Sequence, residues 1–114
     1  MGASPGDRIR VGYLVERYEP GGTLDDVVAA ADRVAAATEQ MARDGAAVSY
    51  LGTTYLPEEE TVLDAFAAPS IELVRAASER ARTPVARVAR AVVVIPQKSQ
   101  EEGGTCPSDT GRAR

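Results

Sequence analysis

The first clear pattern in the chain is an alternation of side-chain types that starts at Ile9. One set of alternate positions is β-branched or aromatic: Ile9, Val11, Tyr13 and Val15. The intervening set is Gly12, Leu14, Glu16 and Tyr18. A period of two residues predicts a β-strand. The turn-forming residues 19–22 (EPGG) end it.

A helical repeat follows this turn. Thr23 is a good N-cap, and Asp25 and Asp26 suit the positive end of a helix dipole. Apolar or small residues then recur at helical spacing: Leu24, Val27, Val28, Ala31, Val34, Ala35, Thr38, Met41 and Ala42. Gly45 lies where a glycine usually follows a helix. The pattern predicts a helix near residues 24–44.

The second half of the chain contains two strands, a helix and a further strand. Residues 47–56 and 61–67 have strand composition and are joined by a short charged segment, which favours an antiparallel hairpin. Ser70 then caps a helix that ends at Thr83 and Pro84. Its expected buried stripe is Ile71, Val74, Ala77 and Ala81. A last strand is predicted at 88–95.

The order β-α-β-β-α-β predicts a ferredoxin-like α+β fold, in which two helices cover one face of a four-stranded antiparallel sheet. The other face is apolar and uncovered, so we expect a second copy of the sheet to pack on it. The result would be a homodimer with a dimeric α/β barrel. We assign residues 8–96 to this domain, and expect residues 1–7 and 97–114 to be disordered.

Composition narrows the possible partners. The 114 residues carry a net charge of −4, which argues against binding to nucleic acid. Cys106 is the single cysteine, so no disulfide forms within the chain. No apolar stretch approaches the ~20 residues of a membrane span, and no signal peptide is evident. We therefore expect a cytoplasmic protein without a membrane partner.

Three short motifs are residues 13–17 (YLVER), 20–22 (PGG) and 66–70 (FAAPS). With these motifs the chain resembles small bacterial nickel-binding ferredoxin-like proteins, most of which have no assigned function. The resemblance covers about residues 11–95 and implies a ferredoxin-like protomer that forms a dimeric barrel. Relatives that bind nickel use histidine side chains, and this chain has no histidine. The metal role therefore does not carry over to any position, and we expect no cofactor.

The candidate site lies on the open face of the predicted sheet. We expect alanines to pack under the helices, which places Ala65, Ala67, Ala89 and Ala91 on the helix side. The open face would then carry Leu14, Glu16, Tyr18, Val62, Asp64, Phe66, Val88, Arg90 and Val92. Three charges on an apolar wall predict catalytic roles for Glu16, Asp64 and Arg90 in proton transfer or in polarising a carbonyl group.

The expected substrate-binding residues are Leu14, Tyr18, Tyr50, Tyr55 and Phe66. Either tyrosine of the second strand could donate a hydrogen bond to a developing oxyanion, but its register is not fixed by the sequence. A structural ion network is the simpler explanation of the three charges. Arg17 and Arg87 are most simply surface charges.

We expect a dimeric barrel that binds a small, partly apolar organic molecule of bacterial specialised metabolism. One hypothesis adds cofactor-free catalysis of the cyclase or isomerase type. The alternatives are a binding protein without turnover, including weak divalent-metal binding by carboxylates, and a structural dimerisation module. These alternatives differ in whether the barrel encloses a cavity.

Overall fold

The computed structural model describes residues 8–96. The elements are β1 (Ile9–Tyr18), α1 (Leu24–Arg43), β2 (Ser49–Leu56), β3 (Thr61–Ala67), α2 (Ile71–Arg80) and β4 (Arg87–Val94). A 3₁₀ turn, Pro57–Glu59, joins β2 to β3. This order confirms the ferredoxin-like fold. The segments 1–7 and 97–114, for which the sequence predicts disorder, lie outside the described residues.

The four strands form one antiparallel sheet in the order β2-β3-β1-β4. The inner strands are therefore β1 and β3, while β2 and β4 are the edges. Both helices pack against one face, where a core of valine, alanine, methionine and phenylalanine side chains fills the space between the layers. Its buried members are Val15, Val34, Ala37, Met41, Val48, Phe66, Val74, Ala77 and Ala81.

The first helix begins at a capping box. The Thr23 hydroxyl accepts from the Asp26 amide at 3.2 Å, and the Asp26 carboxylate accepts from the Thr23 amide at 3.0 Å. The residues of α1 that are buried differ in part from the expected stripe. They are Val27, Ala30, Val34, Ala37, Thr38 and Met41. Leu24 and Val28 are 64% and 51% exposed, because only this narrow stripe meets the sheet.

The expected faces of β3 and β4 are wrong. Asp64 lies opposite Val15 of β1, and paired residues of antiparallel strands point to the same face. The other alternate positions of β1, Val11, Tyr13 and Val15, face the helices, in agreement with the placement of Leu14, Glu16 and Tyr18 on the open face. Their pairing puts six residues that we assigned to the open face on the helix side: Val62, Asp64, Phe66, Val88, Arg90 and Val92. The alanines lie on the open face instead, because larger side chains are needed to fill the core under the helices.

Gly12 lets β3 approach β1 closely. A Cβ atom built at this position would lie well inside contact distance of the Phe66 carbonyl oxygen and 3.3 Å from its carbonyl carbon. Both are backbone atoms of a paired strand, so they cannot move aside as a flexible side chain would. A side chain at position 12 would therefore force the two inner strands apart.

We expect Gly12→Ala to lower the free energy of unfolding by about 1–3 kcal/mol, as overpacking of a rigid site does. Urea denaturation followed by circular dichroism measures it. Gly22→Ala is the control, because its Cβ would meet mainly the flexible side chain and the carbonyl of Glu19, at 3.2 Å or more. An equal loss in both variants would contradict a specific role for the β1–β3 contact.

Candidate functional site

The described part of the chain buries one ion pair between the sheet and the helices. Arg17 is 1% exposed and Asp64 is 0% exposed. The Arg17 Nε atom lies 3.4 Å from the Asp64 Oδ2 atom, and its Nη1 atom lies 3.5 Å from Glu19 Oε2. Arg17 follows Val15 by two positions in β1 and so continues the helix-facing set.

This ion pair lacks well-aligned hydrogen bonds. All three guanidinium nitrogens of Arg17 and the Oδ2 atom of Asp64 are buried without a hydrogen-bond partner among residues 8–96. Burying charged groups costs free energy unless they are both paired and hydrogen-bonded. The attraction between the charges of Arg17 and Asp64 compensates part of this cost, but several of their nitrogen and oxygen atoms make no hydrogen bond within residues 8–96.

The other oxygen of Asp64 begins a chain of hydroxyl groups. The Thr53 hydroxyl donates to Asp64 Oδ1 at 2.7 Å, and the Tyr50 hydroxyl is hydrogen-bonded to the same Thr53 oxygen. A carboxylate only accepts, and threonine has a single hydroxyl proton. Since Thr53 gives that proton to Asp64, Tyr50 must be the donor to Thr53.

A β-bulge brings these two hydroxyl groups together. The pairing of β2 with β3 shifts between Tyr50 and Gly52, where Leu51 is the extra residue. Gly52 has a φ of +135°, which few other residues adopt. In a regular strand Tyr50 and Thr53 would point to opposite faces, but the bulge places both on the helix side.

The surroundings of Tyr50 favour its protonated form. Burial is the largest cause that raises the pKa of its phenol above the ordinary value, and the negative charges of Asp64 and Asp32 raise it further. The positive charge of Arg17 acts in the opposite direction and lowers this pKa. Tyr50 is therefore a neutral hydrogen-bond donor at ordinary pH.

Tyr50 also forms part of a groove between α1 and β2. The groove has a volume of about 270 Å³, and its walls are formed by Ala35, Thr38, Glu39, Ala42, Val48, Ser49 and Tyr50. A second groove of about 410 Å³ shares Ala42, Val48 and Ser49 with it and extends around the start of β2. Together they give a surface channel with mostly small apolar walls, at one side of which lies Tyr50.

The structure brings together three of the residues predicted from the sequence. Asp64 and Tyr50 are linked through Thr53, and the ring of Phe66 lies 5.6 Å from the ring of Tyr50 between centroids. Phe66 is buried, so it supports the tyrosine from the core. Tyr55 also lies on the helix side, where its hydroxyl donates to the Gly22 carbonyl oxygen at 3.5 Å.

The other two predicted catalytic residues lie apart from Asp64. Glu16 points to the open face, where its carboxylate accepts from Arg87 Nε at 3.1 Å. Arg90 lies opposite Tyr13 on an edge strand and is exposed. The predicted cluster of Glu16, Asp64 and Arg90 is therefore wrong, because alternation places Glu16 and Asp64 on opposite faces.

Two predicted binding residues also lie outside this group. Tyr18 is exposed and donates to Glu60 Oε1 at 3.2 Å, and this hydrogen bond is the main cause of the raised pKa of its phenol. Leu14 lies on the open face, beside a shallow hollow of about 50 Å³. That hollow is walled largely by small and aliphatic residues that include Leu51, Ala65, Ala91 and Val93.

Sequence reasoning missed Arg17 and Thr53. Arg17 was interpreted as a surface charge, although the alternation Val11, Tyr13, Val15 already indicated that position 17 faces the helices. Thr53 was hidden by the bulge, for which Gly52 inside a strand is the available signal.

No group of three or more potential metal ligands occurs within residues 8–96. In the same part of the chain, no helix is long and apolar enough to cross a membrane. Comparisons with protein-family models, curated proteins and solved structures gave no match. The resemblance to nickel-binding ferredoxin-like proteins thus stays a prediction.

We expect Asp64→Asn to lower the free energy of unfolding by about 3–5 kcal/mol, because it leaves the buried charge of Arg17 with only the partly exposed Glu19 carboxylate as a partner. Chemical denaturation measures this loss. The matched control is Glu16→Gln, which removes the partner of the exposed Arg87 and should cost at most about 1 kcal/mol. The double variant Arg17→Met, Asp64→Leu should recover most of the loss. Equal effects of Asp64→Asn and Glu16→Gln would contradict the burial argument.

Proposed function

We propose that the chain is a cytoplasmic, small-molecule-binding protein whose ligand lies in the groove between α1 and β2. The observation that carries this proposal is the chain of hydrogen bonds from the groove-lining Tyr50 through Thr53 to Asp64. Apolar walls with a few oriented polar groups are typical of sites for small organic molecules. The groove volume of about 270 Å³ suits a small ligand rather than a macromolecule.

The ligand group that meets Tyr50 should be a hydrogen-bond donor. The single proton of the Tyr50 hydroxyl is given to Thr53, so the phenol oxygen offers only its lone pair toward a ligand. Glu39 adds a carboxylate to the same groove. A hydroxyl or amino substituent on a largely apolar ligand fits these features.

A cofactor-free proton transfer is the second part of the proposal, and the orientation of the hydroxyl groups favours it. Tyr50 passes its proton to Thr53, which passes its own proton to Asp64, and the phenol oxygen takes one proton from the ligand. When a proton returns along the same path to a different atom of the ligand, the ligand is isomerised and neither it nor the protein gains or loses a proton overall. Binding without turnover remains the alternative outcome of the tests.

The binding site can be tested with a library of small aromatic and aliphatic amines and alcohols. Ligand binding should move the amide resonances of residues 35–42 and 48–50 in ¹H–¹⁵N spectra of the full chain. Tyr50→Phe should weaken binding about tenfold, the effect of one lost hydrogen bond in a partly buried site. Titration of the resonances gives the dissociation constants.

Tyr18→Phe is the matched control, because it removes a phenol hydroxyl that is exposed and remote from the groove lining. It should leave binding unchanged. Equal affinities of the wild type and Tyr50→Phe, or resonance shifts confined to other regions, would contradict the proposed site. Incubation of a bound probe in deuterated water separates the two functions, since proton transfer would exchange a carbon-bound hydrogen of the ligand.

We further propose that a second copy of the chain covers the open face of the sheet. No element of residues 8–96 packs on this face. Apart from the ion pair of Glu16 with Arg87, it carries a set of aliphatic side chains: Leu14, Leu51, Leu56, Leu63, Ala65, Ala67, Ala89, Ala91 and Val93. At the end of β4, Val93 on this face is more than half exposed. A flat apolar face of this kind is unfavourable in water, and an identical sheet matches it in shape and polarity.

We expect the wild-type protein to have twice the 12.0 kDa mass of the chain in sedimentation equilibrium. Leu51→Asp should shift the equilibrium toward the monomer, since it places a charge in the proposed interface. Leu51 is 61% exposed, and Leu24, which is 64% exposed at the start of α1, provides the control Leu24→Asp. A monomeric wild type, or dissociation by both variants, would contradict an interface on the open face.

A further inference from the structure

Three arginines border a groove between the two helices. Arg33 comes from α1, whereas Arg80 and Arg82 come from the end of α2 and the residues after it. The groove has a volume of about 220 Å³ and is otherwise walled by Ala36, Ala37, Gln40 and Ala81. The small side chains leave an open space beside the three arginines. This groove lies outside the Tyr50 site and shares no lining residue with it.

The positive charge at this groove is not neutralised by the described residues. None of the three arginines forms an ion pair with a carboxylate within residues 8–96. The chain as a whole is acidic, with a net charge of −4. Three arginines without an ion-pair partner thus line one concave surface of an otherwise acidic protein.

Two of the arginines are held in place by neighbouring polar atoms. Arg33 donates through Nε to the Ala81 carbonyl oxygen at 3.0 Å, and Arg80 donates through Nη1 to Gln40 Oε1 at 3.2 Å. Each guanidinium keeps further N–H groups that these bonds do not use. Fixed orientation reduces the entropy that a ligand must overcome on binding.

Arg82 has an unusual backbone conformation for its residue type. Its φ is +60°, in the left-handed region. The Arg82 amide donates to the Glu79 carbonyl oxygen and the Thr83 amide donates to that of Ser78, each at 3.0 Å. These two bonds form a Schellman motif, in which glycine is the usual residue at the left-handed position. An arginine there costs conformational energy that glycine would not.

We propose that this groove binds the phosphate group of a small molecule. A planar guanidinium binds two phosphate oxygens at once, and three arginines line a space large enough for one phosphate. The simpler role of the arginines is to complement the negative end of the α2 dipole. The two roles differ in what Arg82→Gly does, because glycine suits the backbone but offers no guanidinium.

Isothermal titration of the full-length protein with inorganic phosphate and with phenyl phosphate tests the proposal. Both should bind the wild type, and a tighter complex with phenyl phosphate would indicate an organic phosphate as the ligand. Arg82→Gly should weaken phosphate binding about tenfold, which corresponds to one lost charge-assisted contact. Its melting temperature should equal or exceed that of the wild type, because glycine relieves the positive φ.

Arg75→Gln is the control for general charge, because Arg75 is an exposed arginine of α2 that does not line the groove. It should leave phosphate affinity within about twofold, as expected of a screened remote charge. The proposal is overturned if the wild type binds neither probe, if Arg82→Gly binds as tightly as the wild type, or if Arg75→Gln loses as much affinity as Arg82→Gly. A fall in melting temperature of Arg82→Gly with unchanged affinity would assign Arg82 to the helix terminus alone.

Discussion

The guanidinium group of Arg17 lies in the space between the sheet and the helices, and its charge determines how the layers around it are arranged. It requires a carboxylate nearby, and Asp64 of the paired strand provides one that is fully buried, whereas the neighbouring carboxylate of Glu19 is partly exposed. A shift of β3 by one residue would point Asp64 to the open face and leave Arg17 buried without its main partner. The ion pair therefore favours a single register of the two inner strands. Asp64 then orients Thr53, and Thr53 orients Tyr50.

The fold was predictable because its signals are local. Helix α1 begins at the predicted capping residue, and its observed end differs by one residue from the predicted one. The hairpin strand Thr61–Ala67 coincides with its predicted range. Each of these elements depends on spacing and caps within a dozen or so residues of sequence. The order of elements, combined with the handedness of crossovers, then leaves few arrangements open.

The site was less predictable because it depends on pairing between strands. We expected the alanines of β3 to lie under the helices. The larger Val62 and Phe66 lie there instead, and Asp64 shares their face. The alternation of β1 alone indicates that Arg17 faces the helices, but arginine is seldom buried, so this position was interpreted as a surface charge. The hydrogen bond between Tyr50 and Thr53 depends on the β-bulge at Gly52. The position of a bulge is set by how β2 pairs with β3, which the sequence of β2 alone does not specify.

The bulge in β2 also affects how molecules of this protein meet one another side by side. As an edge strand, β2 presents a row of backbone amide and carbonyl groups that have no partner strand on their outer side within residues 8–96. Such a row is a template on which another chain can add a strand and begin an aggregate. The extra residue Leu51 interrupts the spacing of that row, so an added strand would lose its hydrogen-bonding register after a few residues. The irregularity that aligns two hydroxyl groups inside the protein thus also makes its outer edge a poor template for growth.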